Sequence, residues 1–156
     1  MNDNELLRRA VSICRAGIAS GQTPFGAAVA RDGVIVAEAH NSVWRDGDPT
    51  AHAEINALRA AARALATIDL SGCVLYSTCE PCPMCLAATH WAKVDRVVFG
   101  ATIADAEAAG FAELSISAAT LVKLGGSPLL VEGGLLRAEC ADLFRLWKEA
   151  GLCRAY

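Results

Sequence analysis

The sequence predicts an α/β protein, a three-layer α/β/α sandwich built on a five-stranded mixed sheet. Short apolar runs alternate with longer segments of helical periodicity, an Asp-Gly pair joins the first two runs, and 54% of the residues are hydrophobic. Alternating strands and helices favour a sheet covered by helices on both faces. At 156 residues the chain has the length of one ordinary domain, so we expect residues 1–156 to form a single domain.

A helix followed by a hairpin is predicted for the start of the chain. Residues 5–19 carry apolar side chains at helical spacing. Residues 25–30 and 34–39 are short apolar runs separated by a connection that contains Asp32-Gly33. Because Asp-Gly favours a tight two-residue turn, we expect these two strands to pair antiparallel.

The remainder of the chain predicts strands alternating with helices. Residues 51–66 are rich in alanine, so we expect a helix there, with Asp48 or Thr50 as its N-cap. His52 and Glu54 would then lie in its first turn. The later predicted elements are a strand at 73–78, a helix at 81–92, a strand at 94–99, a less regular stretch with some helical character at 102–126, a strand at 128–131 and a helix at 135–150.

Charge and cysteine content narrow the range of functions. The net charge is −3 and the 14 Lys and Arg residues are scattered, which argues against a nucleic-acid partner. The N-terminus shows no secretory signal and no apolar run approaches membrane-spanning length, so we expect no membrane partner. Of the 7 cysteines, three crowd into residues 79–85, which suits metal binding in a cytoplasmic protein better than a disulfide framework.

Two motifs about thirty residues apart carry the chemistry. His52-Ala53-Glu54 and Pro81-Cys82-Pro83-Met84-Cys85 each open a predicted helix, and their combination is an established signature of zinc-dependent deaminases. Two cysteines three residues apart at a helix start project to one side, where the helix-end amide groups favour thiolates. His52, Cys82 and Cys85 are therefore the predicted ligands of Zn²⁺.

Three protein ligands leave the fourth tetrahedral position open, as in catalytic zinc sites. A water in that position would have its pKa lowered from ~15.7 to ~7, so that hydroxide attacks an amidine-like carbon at neutral pH. Glu54 is the predicted catalytic proton shuttle, from the water to a ring nitrogen and then to the leaving amine. In the competing interpretation Cys79 is a fourth ligand, which would close the site and leave zinc a structural role.

Five segments carry a resemblance to a known family. They are residues 24–27, Asn41, residues 48–54, residues 79–85 and residues 105–111. Together they are similar to the cytidine deaminase superfamily and, within it, to the bacterial guanine deaminases. The resemblance covers nearly the whole chain and implies a cytidine deaminase-like fold, with hydrolysis of guanine to xanthine and ammonia as the activity.

The resemblance also implies a purine site. Asn41 would bind the edge of the base, and Phe25 and Trp91 would sandwich the ring, with core packing as the alternative for both aromatic residues. Glu113 would accept hydrogen bonds from the ring N–H and the exocyclic amine of guanine, unless it is a solvated loop acid. The relatives carry Asp there, so Glu113 places its carboxylate one methylene further forward. Two further implied contacts are Ala53 and Phe111.

Similar enzymes are homodimers in which the C-terminal segment crosses to the partner. In these relatives a final Tyr helps to close the partner's active site. Tyr156 is the last residue of this chain, so the resemblance implies a homodimer, a swapped C-terminal segment and a closing role for Tyr156.

Other substrates and another class of protein compete with guanine deamination. An aminotriazine such as ammeline, or cytosine, is the alternative if the longer side chain of Glu113 admits a different ring. A tRNA adenosine deaminase shares the metal motifs but needs basic patches, which this acidic chain lacks. A non-catalytic, zinc-stabilised binding module would have no use for Glu54.

Overall fold

A computed structural model of the protein describes residues 1–151 and 154–156, and in these residues helices cover both faces of a five-stranded sheet. Its elements in chain order are α1 (Asp3–Ala19), β1 (Gly26–Arg31), β2 (Val34–His40), α2 (Val43–Asp46), α3 (Ala53–Ala64), β3 (Cys73–Cys79), α4 (Pro83–Trp91), β4 (Arg96–Ala101), α5 (Ile103–Ala109), α6 (Ala118–Gly125), β5 (Leu130–Gly133) and α7 (Arg137–Glu149).

The sheet is mixed, with strand order β2-β1-β3-β4-β5. Strand β1 pairs antiparallel with both β2 and β3, whereas β3, β4 and β5 run parallel. The hairpin between β1 and β2 turns at Asp32 and Gly33, whose φ angles of 52° and 72° are those of a tight turn with two left-handed residues. The predicted five-stranded mixed sheet and its antiparallel hairpin are confirmed.

Each face of the sheet buries its own apolar cluster. Leu7 of α1 and Leu143 of α7 belong to the cluster on one face, and Leu58 of α3 and Leu86 of α4 belong to the cluster on the other. Strands β1, β3 and β4 are buried on both faces, which explains why they appear in the sequence as continuous apolar runs. The predicted three-layer α/β/α sandwich is confirmed.

The predicted starts of the two motif helices were wrong by two residues. Helix α3 begins at Ala53 with His52 as its N-cap, while Asp48 accepts hydrogen bonds from the N–H and hydroxyl of Thr50, each at 2.7 Å, in the preceding turn. Helix α4 begins at Pro83 with Cys82 as its N-cap, and not at Pro81. Both motifs therefore straddle a helix start.

The stretch predicted as irregular holds two short helices, α5 and α6, joined by residues 110–117. Thr102 and Asp105 form a capping box at the start of α5, which stabilises a helix too short to show clear periodicity. The four-residue helix α2 was not predicted. None of the helices within residues 1–151 and 154–156 is both long and apolar enough to cross a membrane.

Candidate active site

The metal motifs meet where α3 and α4 begin. The N-cap residues His52 and Cys82 have extended backbones, and neither side chain makes the usual capping bond. N-cap side chains usually accept a hydrogen bond from the first helical turn, whereas these two lie close to each other and to the side chain of Cys85. Both side chains are thus available to bind a metal ion.

The three predicted ligands converge. Nδ1 of His52 lies 3.7 Å from Sγ of Cys82 and 3.5 Å from Sγ of Cys85, and the three donor atoms lie within 4.8 Å of one another. Tetrahedral bonds of ~2.0–2.1 Å to nitrogen and ~2.3 Å to sulfur place such atoms roughly 3.5 Å apart. The spacing and the borderline-soft donors therefore fit Zn²⁺.

Cys79 does not join this group of donor atoms. Its thiol donates a hydrogen bond to the carbonyl oxygen of Thr102 at 3.5 Å, on the side where β3 meets the start of α5. Burial raises the pKa of the Cys79 thiol well above its ordinary value, so this side chain stays protonated. Three protein donors, and not four, face the metal position.

The electrostatics of the two ligand cysteines suit a cation. The hydrogen bond from the Cys85 thiol, together with the nearby imidazole of His52, lowers the pKa of Cys82 to about 4. The same hydrogen bond, together with burial, raises the pKa of Cys85. One proton is therefore held between two sulfur atoms, and a metal ion that binds both as thiolates displaces it.

Glu54 faces the ligands without being one of them. Its side chain is buried, Oε1 accepts a hydrogen bond from the hydroxyl of Ser77 at 3.1 Å, and Oε2 lies 3.5 Å from the Cys85 sulfur. Burial, and next to it the Cys82 thiolate, raise the pKa of Glu54. A carboxyl group with a raised pKa beside a metal position is suited to take up a proton and to release it again.

A narrow cleft with a volume of about 20 Å³ opens beside this group. This is little more than the space that one water molecule needs. Glu113 enters it from the loop between α5 and α6, and burial, followed by the negative charge of Cys82, raises the pKa of Glu113 to about 7. The cleft is lined by Phe25, His52, Glu54, Cys79, Glu80, Cys82, Glu113 and Tyr156.

Two more predicted residues support the cleft. Asn41 is fully buried; its Oδ1 accepts from the N–H of Val43 at 3.1 Å and its Nδ2 donates to the hydroxyl of Tyr156 at 2.5 Å. The ring of Phe111 packs edge-on against Phe25, with centroids 4.9 Å apart, and stands behind it. Both residues lie next to groups that line the cleft.

The remaining two predicted contacts are placed differently. Ala53 is fully buried as the first residue of α3, between His52 and Glu54. Trp91, at the end of α4, is 79% exposed, contacts His90 and does not line the cleft. Stacking of Trp91 on a purine stays a prediction, because within this single chain the Trp91 ring does not line the cleft.

Sequence reasoning missed Trp44, which holds the C-terminal residues over the cleft. The indole N–H of Trp44 donates to the carbonyl oxygen of Arg154 at 2.7 Å, and the guanidinium of Arg154 lies 3.5 Å from the centre of the indole ring. The ring of Tyr156 meets Trp44 edge-on, with centroids 6.2 Å apart. The available signal was a large aromatic residue three positions after Asn41.

Asn56 is a second missed residue. Its Nδ2 donates to the carbonyl oxygens of His40 and Ala51, at 3.1 and 3.2 Å, and to the hydroxyl of Ser42 at 2.9 Å. His40 and Ser42 are the chain neighbours of Asn41, and Ala51 directly precedes His52. Asn56 therefore connects the loop that supplies Asn41 to the start of α3.

Comparison with known proteins agrees with this geometry. Residues 1–101 match the family model of the cytidine and deoxycytidylate deaminase zinc-binding region. A guanine deaminase of Bacillus subtilis (strain 168) is 46% identical over 112 residues, which cover 71% of this chain and 72% of that protein. A tRNA-specific adenosine deaminase of Aquifex aeolicus (strain VF5) is 41% identical over 101 residues, which cover 65% of this chain and 67% of that protein.

Solved structures show the same fold. A guanine deaminase from Nitrosomonas europaea superposes with a TM-score of 0.88 at 33% identity, over 95% of this chain and 85% of that one. The architecture, the converging His and Cys donors and the match over residues 1–101 all lead to one assignment. The chain belongs to the cytidine and deoxycytidylate deaminase family of zinc-dependent enzymes.

Proposed function

We propose that this enzyme hydrolyses guanine to xanthine and ammonia. The observation that carries the proposal is the placement of a second carboxylate, the half-buried Glu113, in the cleft that also holds Glu54 and the predicted metal ligands. Guanine presents a ring N–H and an exocyclic amine side by side. Only a paired acceptor such as a carboxylate satisfies both donors once water is excluded.

Metal binding, proton transfer and positioning of the proton shuttle are carried out by different residues of the chain. His52, Cys82 and Cys85 would hold Zn²⁺, which supplies Lewis-acid activation of a water molecule. Glu54 takes the proton of that water, delivers it to the ring nitrogen beside the attacked carbon, and later protonates the departing amine. The hydrogen bond from Ser77 keeps the Glu54 carboxylate aimed into the cleft.

Substrate orientation comes from the other side of the cleft. Glu113 would grip the amidine edge of guanine, Phe25 would pack against its face, and Asn41 would bind the opposite edge. Tyr156 covers the opening and already hydrogen-bonds to Asn41. A narrow cleft under such a cover favours a free base over a base within RNA.

The decisive experiment compares substrates. Zinc-loaded enzyme is assayed for ammonia release from guanine, guanosine, adenine, cytosine, ammeline and a tRNA anticodon stem-loop. We expect guanine alone to give rapid release, with xanthine as the product. If ammeline or cytosine reacts and guanine does not, the proposed metal chemistry is retained, but the proposed role of Glu113 in recognising guanine is wrong.

Replacement of Glu113 by Gln should lower kcat/KM for guanine about 100-fold. The amide turns one acceptor into a donor that faces a donor of the base, and a hydrogen bond to a charged group is worth ~1.5–3 kcal/mol. Steady-state kinetics and zinc analysis check this, with zinc content unchanged. Glu113→Asp, which keeps the carboxylate, is the matched control and should lose much less. Equal guanine activity in Glu113→Gln and wild type would remove Glu113 from recognition.

Activity on guanine should also depend on pH through Glu113. Its pKa is raised to about 7, so the carboxylate accepts two hydrogen bonds above that pH and becomes protonated below it. We expect kcat/KM to fall as the pH decreases from 8 to about 6. The profile of Glu113→Gln, measured over the same range, should lack this acidic limb. An unchanged limb in the variant would assign the titration to another group.

Loss of the contacts between Trp44 and Arg154 should weaken substrate binding. Trp44→Leu removes both the indole N–H and the cation–π contact with Arg154, together roughly 1–2 kcal/mol, so KM for guanine should rise about tenfold with zinc content unchanged. Trp44→Phe keeps an aromatic face and should show a smaller rise. A KM equal to wild type in Trp44→Leu would mean that the C-terminal residues do not cover bound substrate.

We further propose that the enzyme is a cytoplasmic homodimer of single-domain chains. Among the described residues, Trp91, Leu124 and Leu130 are 79%, 80% and 60% exposed, and a groove between α4 and α6 is lined mainly by apolar side chains. Exposed apolar patches of this kind favour association. The six described cysteines are free thiols, which suits a reducing compartment. Sedimentation analysis of wild type and Trp91→Glu tests the dimer.

Tail exchange between chains is a separate proposal. In the described structure Tyr156 covers the cleft of its own chain, and a partner's tail would make the same contacts with Asn41 and Trp44. Mixing Glu54→Gln, which has an intact tail, with Tyr156→Ala, which has an intact proton shuttle, distinguishes the two arrangements. Recovery of activity in the mixture indicates swapped tails, and simple addition of the two activities indicates tails that stay on their own chain.

A further inference from the structure

We infer that Glu80 is a positioning residue that fixes the loop bearing Glu113 and so controls which base the enzyme accepts. The inference rests on the proposed function, because it gives Glu113 its role in recognition. Glu80 lies two residues before the ligand Cys82 and lines the cleft. It belongs to the metal motif by sequence, but among the described residues its carboxylate bonds to Ile103 and Ala118 and not to the three metal donors.

The side chain of Glu80 joins two helix starts. Its Oε2 accepts a hydrogen bond from the backbone N–H of Ile103 at 3.2 Å, and its Oε1 accepts one from the backbone N–H of Ala118 at 2.8 Å. Ile103 and Ala118 are the first residues of α5 and α6. One carboxylate thus holds both ends of the segment within which Glu113 lies.

Besides Glu80, the segment between these helices is held at Phe111, which is buried in the core, and at Ser115, whose hydroxyl donates to Glu107. Residues 110–117 form neither helix nor strand. They are followed by α6, which packs against the sheet through Ala118 and few other buried side chains. The two bonds to Glu80 therefore set the distance between the starts of α5 and α6, which bracket the segment that carries Glu113, and with it the depth at which Glu113 enters the cleft.

The helices themselves do not need Glu80 to begin. Thr102 and Ser117 already act as N-caps and accept from the third-residue N–H groups of α5 and α6. Glu80 takes the first N–H of each helix, at the positive end of both helix dipoles, where a carboxylate is favoured. What Glu80 adds is the connection of one helix start to the other and to the metal-binding turn.

The backbone of Glu80 is itself fixed. Its N–H donates to the carbonyl oxygen of Ala101 at 2.8 Å, at the end of β4. Glu80, which lies in the metal-binding turn, is thus hydrogen-bonded to the end of β4 and to two helix starts. A shift of the Glu80 carboxylate moves the loop of Glu113 relative to the zinc ligands, and so changes the match between the amidine edge and the reacting carbon.

Glu80→Gln tests the inference, because the amide keeps the shape of the side chain and removes one of the two acceptors. We expect KM for guanine to rise about tenfold or more, with kcat changed much less and with one zinc ion per chain retained. Deuterium exchange of residues 110–117 should become faster. Glu139→Gln, which removes a carboxylate from a surface pair with Arg8, is the matched control and should leave all three readouts unchanged.

A double-substitution cycle separates positioning from general support. If Glu80 acts through Glu113, Glu80→Gln should have little effect on kcat/KM in a Glu113→Gln background. Additive losses in the double variant, or zinc loss in step with activity, would overturn the inference. Guanine binding is measured in a Glu54→Gln background, where no turnover occurs. If wild type proves inert towards guanine, the proposed function fails, while the exchange of residues 110–117 still decides whether Glu80 holds the loop.

Discussion

Glu54→Gln should lower kcat by about 10³–10⁴-fold while the zinc content stays at that of wild type. The amide matches the shape of the carboxylate and can still accept from Ser77, but it cannot take up a proton. General acid–base catalysis by one positioned side chain contributes ~10²–10⁴-fold, and Glu54 is asked to act at each proton transfer of the reaction.

Three measurements check this expectation: guanine turnover, metal analysis and guanine affinity of the variant. Ser77→Ala is the graded control, because it leaves the carboxylate and removes only the hydrogen bond that aims it. We expect a loss for Ser77→Ala far smaller than that for Glu54→Gln. Turnover within tenfold of wild type in Glu54→Gln would assign the proton shuttle to another group.

Cys85→Ala should abolish both zinc retention and activity, with a loss of more than about 10³-fold in kcat/KM. The variant leaves two protein donors, His52 and Cys82, and a catalytic zinc site needs three. Cys79→Ala is the matched control, since its thiol is also buried in the motif but bonds to Thr102 and is not one of the converging metal donors. It should keep zinc and most of the activity.

The same pair of variants decides between a catalytic and a structural site. Retention of zinc in Cys85→Ala together with its loss in Cys79→Ala would restore the four-ligand interpretation. For wild type, removal of zinc with a chelator should abolish turnover, and titration with one equivalent of Zn²⁺ should restore it. Because a metal ion that binds both cysteines as thiolates must displace the proton they share, the zinc affinity of wild type should also weaken as the pH falls.

The sequence predicted the architecture because its signals were local and repeated. Apolar runs gave β3 and β4, the Asp32-Gly33 turn gave the hairpin, and helical spacing gave α1 and α7. The metal ligands could also be found, since spacing at a helix start is a local property. Glu113 needed the resemblance to a known family, because an acid in an irregular loop carries no signal of its own.

The parts that sequence reasoning missed depend on contacts between distant segments. Glu80 bonds to residues 23 and 38 positions further along the chain, and Trp44 bonds to Arg154 across 110 residues. The N-caps of α3 and α4 were misplaced for another reason. Residues that normally cap helices, Asp48 and Thr50, bond to each other in a turn, and residues that rarely cap stand at the helix starts.

The arrangement at the starts of α3 and α4 lowers folding stability and places two side chains in the metal site. A good N-cap is worth ~1 kcal/mol to a helix, and His52 and Cys82 do not make the usual capping bond, because their side chains lie among the metal donors. The free energy of metal binding offsets that loss only when the ion is present. These two helix starts are therefore suited to the holoenzyme, and we expect zinc binding to raise the free energy of unfolding.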